Sequence, residues 1–495
     1  LDFKKLKLVC ITFIVSGVLA GCMVGPDFHV PAPPTTKSYT QTILPPKTTR
    51  VFAAGNAGKA QYFINNQDIP AEWWTLYHST ALNHLITRGL ANSPSFAAAK
   101  ATLLQAQENL NAQTGALLLP RVNVVANGQR QKFAGATIGN DVPSSIFNLY
   151  NVGVSVSYTF DFFGGLRRQV EAARAQVDFR YYQLQAAYLA LTANIVTTAI
   201  TTASLKAQIN AIHQLIEEEK NQLAINIQQF KLGSVSEANV FAQQTQLEQT
   251  SALLPPLEQN LSRAEHALAV LVGSLPSESQ LPSIDLDKLN LPTRLPVSLP
   301  SALVRQRPDI QAAEALLHQA NAQVGVATAN LFPQMTLGTT NYGWSSPTVN
   351  DLFHPATLTW SIGGQILEPI FQGGALRAQK RAAMAAYEQV WAQYRQTVLQ
   401  AFQNVADSLR ALESDARELK AQKRAEIAAH AALKLTKAQY RLGSIDYLPV
   451  LTAEQQYQQA LVNRIQAQAA RYSDTAALFQ ALGGGWWHRT EGETR

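Results

Sequence analysis

Few side chains in this sequence could carry covalent or metal chemistry, and their positions restrict what that chemistry could be. There are two cysteines, Cys10 and Cys22, both within the first 22 residues. The rest of the chain therefore offers no thiol for a disulfide framework, a cysteine-ligated zinc or a cysteine nucleophile. Nine histidines are scattered, and His78 and His84 stand six apart. That is off the i,i+4 spacing that puts two imidazoles on one helical face. Glu217-Glu218-Glu219 is a carboxylate run, but consecutive residues fan around a helix, so it reads as a solvated patch. The sequence has no glycine-rich phosphate loop, HExxH, GxSxG or calcium-loop pattern. It reads as a non-enzyme with no cofactor and no bound metal.

Cys22 stands apart from this. Lys4, Lys5 and Lys7 precede an apolar run from Leu8 to Leu19, too short to span a bilayer comfortably, and Leu19-Ala20-Gly21-Cys22 follows. This resembles the bacterial lipobox, where cleavage leaves the cysteine thiol at position one for diacylglycerol thioether formation. Residues 1–21 are thus expected to be a lipoprotein signal peptide and Cys22 to be lipidated. The several chains of a bacterial lipoprotein anchor firmly where a single chain does not. Met23, rather than Asp, follows the cysteine; by resemblance to Gram-negative lipoprotein sorting, this favours the outer membrane. Residues 22–70 carry Pro31, Pro33, Pro34, Pro45 and Pro46 without periodicity, which reads as an extended, lipid-anchored segment.

The elements beyond that segment come in two copies. Phe230-Lys231-Leu232-Gly233-Ser234 recurs as Tyr440-Arg441-Leu442-Gly443-Ser444, Leu166-Arg167 as Leu376-Arg377, and Leu271-Val272-Gly273 as Ala481-Leu482-Gly483. We read 71–274 and 301–483 as one unit duplicated, 275–300 as a proline-rich linker and 484–495 as a tail. Each copy has a helical segment (about 78–117 and 308–330), two alternating segments, a very long helix, a glycine turn and a return helix. No Gly or Pro occurs from Leu166 to Leu232 or from Ala375 to Leu442, so each long helix would extend about 100 Å. Val398, Phe402, Val405, Leu409, Leu412, Ala416 and Leu419 follow the 4,3 spacing of a coiled-coil seam. The first copy is looser, with Ile212, Ile216, Leu223, Ile227 and Phe230 interrupted by Glu219. Residues 181–205 lack charge but contain Gln, Asn and Thr; they read as buried against neighbouring helices.

The alternating segments suggest a membrane. Val152, Val154, Val156, Tyr158 and Phe160 point one way, and Gly153, Ser155, Ser157, Thr159 and Asp161 the other. Leu358, Trp360, Ile362 and Ile366 alternate likewise with Thr357, Thr359, Ser361, Gly363 and Gln365. Residues 122–129 and 335–342 are the expected partner strands. A transmembrane strand needs about 9–11 residues with one apolar face. Four strands cannot close a barrel, and open edges in lipid leave backbone groups unsatisfied. Several chains must therefore share one barrel.

Composition agrees with this picture. Charged residues make up 15% of the chain, below the roughly 25% usual for soluble proteins. A mean hydropathy of −0.07 excludes a polytopic helical membrane protein. The net charge is +6, of which Asp2, Lys4, Lys5 and Lys7 supply +2; the remainder is too weak and dispersed to suggest nucleic acid.

Five motifs resemble one family. They are Cys22-Met23-Val24-Gly25-Pro26-Asp27-Phe28, Trp73-Trp74 with Leu76-Tyr77, Leu82, Leu85-Ile86 and Asn92-Ser93-Pro94, Arg307-Pro308-Asp309-Ile310 with Ala313-Glu314, Phe371-Gln372-Gly373-Gly374, and Leu482-Gly483-Gly484-Gly485-Trp486. In order and spacing they resemble TolC-like outer-membrane efflux lipoproteins of the NodT type. The resemblance implies a mixed α and β membrane protein. It would be a homotrimer whose 12-stranded transmembrane β-barrel is continued by a periplasmic α-helical barrel. It implies the exit duct of a tripartite pump, in contact with outer-membrane lipid, a periplasmic adaptor and an inner-membrane transporter of the RND class. Lys231, Leu232, Gly233 and Ser234, with Arg441, Leu442, Gly443 and Ser444, would be periplasmic tips that meet the adaptor. Where the family often has L-D-A-Q, this chain reads Leu451-Thr452-Ala453-Glu454, so the gate carboxylate is absent at Thr452. Leu448 and Thr452 are the leading gate candidates, with Glu454 and Asp446 as alternative carboxylates. The rival readings are a periplasmic adaptor lipoprotein, expected to have one hairpin, and a structural coiled-coil lipoprotein, expected to lack the strands.

Overall fold

The computed structural model describes residues 23–36, 38–65, 67–134, 143–278 and 280–489. Residues 1–21, the expected signal peptide, and Cys22 lie outside these. In chain order the main elements are β1 (Tyr62–Asn65), α1 (Thr80–Asn92), α2 (Pro94–Leu118), β2 (Arg121–Phe133), β3 (Ser145–Phe160), α3 (Gly165–Lys231), α4 (Glu237–Ser251) and α5 (Leu254–Leu271). Then follow β4 (Arg294–Val297), α6 (Pro300–Gln306), α7 (Pro308–Ala329), β5 (Gln334–Ser346), β6 (Leu358–Ser361), β7 (Gly364–Leu367), α8 (Ala375–Arg441) and α9 (Leu448–Ala481). The duplication is visible in this order: α1-α2-β2-β3-α3-α4-α5 is matched by α6-α7-β5-β6-β7-α8-α9.

Prolines set the breaks. The helical segment expected over 78–117 is two helices, because Ser93 before Pro94 is extended, and Arg307 before Pro308 separates α6 from α7 in the same way. A proline ring disfavours helical geometry in the residue before it, while proline itself suits the first turn. The return helix of the first copy, expected to be continuous, is also interrupted. Pro255 and Pro256 open α5, which is separated from α4 by Ala252 and Leu253. Proline in a helix interior would remove a donor and clash with the preceding turn. In the second copy Pro449 falls in the first turn of α9, which runs unbroken.

The chain divides into two compact units. One holds the described residues of Leu1–Pro31, with Thr102–Tyr181 and Ala312–Arg395. Its sheet has the order β2-β3-β5, with β6 and β7 both pairing onto β5. All pairs are antiparallel. The expected strand over 357–366 is split at Ile362-Gly363, where adjacent glycines offer no side chain to hold the pleat. Asp161, read as the lumenal end of a strand, instead caps α3: its carboxylate accepts from the backbone N–H of Leu166 and Arg167 at 3.0 and 2.8 Å.

The other unit holds the described residues of Ala32–Ala101, Tyr182–Gln311 and Gln396–Arg495. Its core buries Trp73, Tyr77, Leu82, Leu85, Ile86, Ile195, Tyr472 and Phe479. Trp73 stacks on Phe479 with ring centroids 5.4 Å apart. Tyr77 donates to the Tyr472 carbonyl, and the Tyr472 hydroxyl to the Leu289 carbonyl, both at 2.8 Å. The coiled-coil seam is buried at Val405, Leu409, Leu412, Ala416 and Leu419. Within 181–205, Leu184, Leu189, Ile195, Val196 and Ile200 are buried as well. The proline-rich stretches are not merely extended: β1 and β4 form a parallel pair. Arg471, fully buried, donates to the Ala57 and Lys59 carbonyls and to Thr48, fixing the segment that leads into β1.

Candidate functional site

Residues directly opposite one another in an antiparallel sheet share a face, so the register tests the expected alternation. Val124, Val154, Tyr342 and Trp360 stand in one row across four strands, and Ala126, Val152, Trp344 and Leu358 in the next. The row between them, on the opposite face, is Val125, Gly153, Gly343 and Thr359. Past a bulge between Val156 and Tyr158, the pattern resumes with Phe160, Met335 and Ile366 on one face and Thr159, Thr336 and Gln365 on the other. In these rows one face is aliphatic and aromatic, giving way beyond Ala126 to Gly128, Tyr150 and Ser346, and the other is mostly glycine and hydroxyl or amide residues. In a single chain the apolar face is bare: Val124 is 77% and Trp360 71% exposed. β2 and the β6/β7 line are edges with no further partner among the described residues.

The two glycine turns have identical chemistry. Gly233 and Gly443 both have φ of +73. Ser234 N–H donates to the Gln229 carbonyl at 2.8 Å and Gly233 N–H to that of Phe230 at 2.9 Å. Ser444 and Gly443 repeat the pattern onto Gln439 and Tyr440 at 3.1 and 2.9 Å. This is the Schellman closure, which favours glycine at the left-handed residue. Lys231 and Arg441 end their helices, and Leu232 and Leu442 are 82% and 84% exposed.

The gate candidates divide. Leu448 and Thr452 are both exposed and one turn apart on α9. Asp446 is exposed in the turn before it. Glu454 is buried, its Oε1 2.9 Å from Lys437 Nζ on α8, so it lies on a different face from Leu448 and Thr452. Glu219, read as part of a solvated patch, is also buried. Glu217 alone of that run has the expected surface pairing, 2.8 Å from Lys220. Burial pushes the Glu219 carboxyl up to about 7, against hydrogen bonds from Thr250 and Gln246 that favour its charged form.

A family model for "Outer membrane efflux protein" matches residues 85–274 and 299–484, once over each copy of the repeat. The chain belongs to the outer membrane efflux protein family. Among curated relatives, the pyoverdine export outer membrane protein OpmQ of Pseudomonas aeruginosa is 29% identical over 97% of this chain and 98% of its own. The cation efflux system protein CusC of Escherichia coli O6:H1 is 28% identical over 96% and 98%. Among solved structures, the outer-membrane channel OprN superposes with a TM-score of 0.83 at 27% identity, covering 94% of this chain and all of that one. As a family member the chain has the fold of a trimeric outer-membrane channel, with a β-barrel and a periplasmic helical barrel. It is the outer-membrane exit duct of an efflux system, not an adaptor.

The structure also supplies partners for two motifs that sequence alone left without them. In the Arg307-Pro308-Asp309 motif, the guanidinium holds Asp309 at 3.0 and 2.6 Å and donates to the Ala481 carbonyl at 2.8 Å, closing α7 onto the end of α9. In the Gly25-Pro26-Asp27-Phe28 motif, Asp27 pairs with Arg168 at 2.7 Å and Phe28 stacks on His318 at 4.4 Å. Val24 N–H donates to the Phe163 carbonyl at 3.1 Å. The chain just after Cys22 is thereby held beside the end of β3.

Proposed function

We propose that three copies of this chain close one 12-stranded barrel and serve as the passive exit duct of a tripartite efflux pump. The observation that carries this is the four-stranded sheet, apolar on one face, polar on the other and unpaired at both edges. Such a sheet is unstable in lipid until its edges meet, and three fours make a closed barrel of ordinary size. Cys22 carries the lipid anchor, and the residues that follow it, 23–28, dock beside the end of β3. The Gly233 and Gly443 tips receive a periplasmic adaptor, which joins the duct to an energised inner-membrane transporter of the RND class. One relative is named for pyoverdine and another for cations at nearly equal identity. Duct similarity therefore selects no cargo, and we assign selection to the transporter.

A resting duct must be closed, and Leu448 with Thr452 line the constriction, each present three times around the axis. Adaptor docking opens it by binding the untwisted helices more tightly than the closed ones. Single-channel recording tests this. Leu448→Ala with Thr452→Ala raises the basal conductance of the purified trimer without adaptor. Unchanged conductance in a folded trimer moves the gate elsewhere.

A further inference from the structure

Between the two helical hairpins lies a polar cluster that passive conduction does not require. Glu219 of α3 and Glu454 of α9 are 4% and 5% exposed. Glu219 Oε1 accepts from Thr250 Oγ1 at 2.9 Å and Gln246 Nε2 at 3.4 Å, both on α4. Its Oε2 is buried without a partner. Gln246 also accepts from Gln455 Nε2 of α9 at 2.9 Å, and the hydroxyl of Tyr447, just before α9, donates to Gln243 of α4. Gln246 of α4 thus holds the Glu219 carboxyl in its own hairpin and also bonds to the second hairpin.

The charges do not balance. α8 contributes one cation, Lys437, already 2.9 Å from Glu454. α4 contributes only the neutral Gln243, Gln246 and Thr250. Just before α9, Tyr447 has its hydroxyl pushed up by burial, with Glu454 adding to the effect, so it stays neutral. On α3 itself Asn226 is buried, while Glu217 and Lys220 pair on the exposed side. With Glu219 protonated the cluster is neutral. With Glu219 ionised it holds one buried negative charge in excess, facing Glu454.

We propose that Glu219, set against the Lys437–Glu454 pair, is a proton-operated latch between the hairpins: the neutral acid lets them pack, and the carboxylate loosens them and biases the duct toward opening. This rests on the duct reading above. The direction follows from burial, which holds Glu219 above its ordinary 4.5, at about 7. The packed state therefore binds the proton more tightly than a loosened, hydrated one. Packing is favoured below that window and is lost as pH rises from about 4.5 through about 7. Acid shuts the duct and alkali releases it.

Channel recording of the full chain in planar bilayers from pH 5 to pH 8 tests the latch. The open-to-closed ratio of the unmodified trimer is expected to rise several-fold across this range, with a slope no steeper than about tenfold per pH unit for each of its three Glu219 protons. Glu219→Gln, an uncharged isostere, should stay at the low acid value throughout. Thr250→Val removes a donor to the carboxylate and should move the midpoint to higher pH, a second test should Glu219→Gln not assemble. Channels that titrate identically with Glu219→Gln, or a midpoint unmoved by Thr250→Val, overturn the latch. A chain that conducts at no pH, even with Leu448→Ala and Thr452→Ala, overturns the duct reading itself.

Discussion

Four helix ends in this molecule use one backbone motif in two settings. At Gly233 and Gly443 the left-handed glycine is surrounded by empty space, and an added Cβ would meet nothing within 4 Å. At Gly273 and Gly483 the same Schellman bonds form, with φ of +72 and +98. Here a Cβ would fall 2.3 Å from the Asn92 carbonyl oxygen and 2.7 Å from that of Gln306. The first pair needs glycine only for its dihedral angle, whereas the second needs it for the angle and for room. A left-handed glycine closes each of these four helix ends, and its surroundings decide whether it stands in open space or against a neighbouring backbone. Leu232 and Leu442 are exposed beside the first pair, and under the proposed function these are the apolar side chains offered to the adaptor.

Substitution should separate the two settings. Gly273→Ala or Gly483→Ala combines left-handed strain of about 1–2 kcal/mol with a backbone collision, and should destabilise by roughly 3 kcal/mol or more. Loss of heat-resistant trimer on electrophoresis reads this out. An effect no larger than at the tips would mean the joints are not packed as described. The two faces of the sheet offer a parallel contrast. Val154→Arg should cost about 2–4 kcal/mol near the bilayer midplane, and Ser155→Arg clearly less. Equal losses in a refolding titration would mean the faces are misassigned. Gly233→Ala should cost only about 1–2 kcal/mol and leave the trimer intact. The smallest change in stability, within about 0.5 kcal/mol, belongs to Leu232→Asp with Leu442→Asp. Those variants should nonetheless abolish export in cells, and undiminished export would remove the tips from the adaptor contact.

What could be read in the sequence follows the range of the interactions involved. The alternation around Val154 and Trp360 repeats every two residues, and the seam from Val405 to Leu419 every three or four. Both are local, and the structure realises both. The α4–α5 break was also local and legible, because Pro255 and Pro256 forbid a continuous helix, yet the expectation of one return helix passed over them. Glu219 is a different case. Its partners Thr250 and Gln246 are 31 and 27 residues away, Glu454 and Lys437 are farther still, and adjacency to Glu217 and Glu218 suggested solvent. The β1–β4 pair joins residues 232 apart, and neither strand is long enough to show a period. Glu454 stands in the sequence as an alternative gate carboxylate because spacing alone does not reveal which side of α9 faces Lys437.

The unpaired edges of the sheet have a genetic consequence. A barrel that closes only when every edge meets a sound neighbour is as good as its worst subunit. A strand variant made alongside the normal chain would enter mixed assemblies and disable normal copies with it. Lesions in β2 or in the β6/β7 line that spare the helices should therefore behave as dominant, whereas those that unfold the chain before assembly should be recessive.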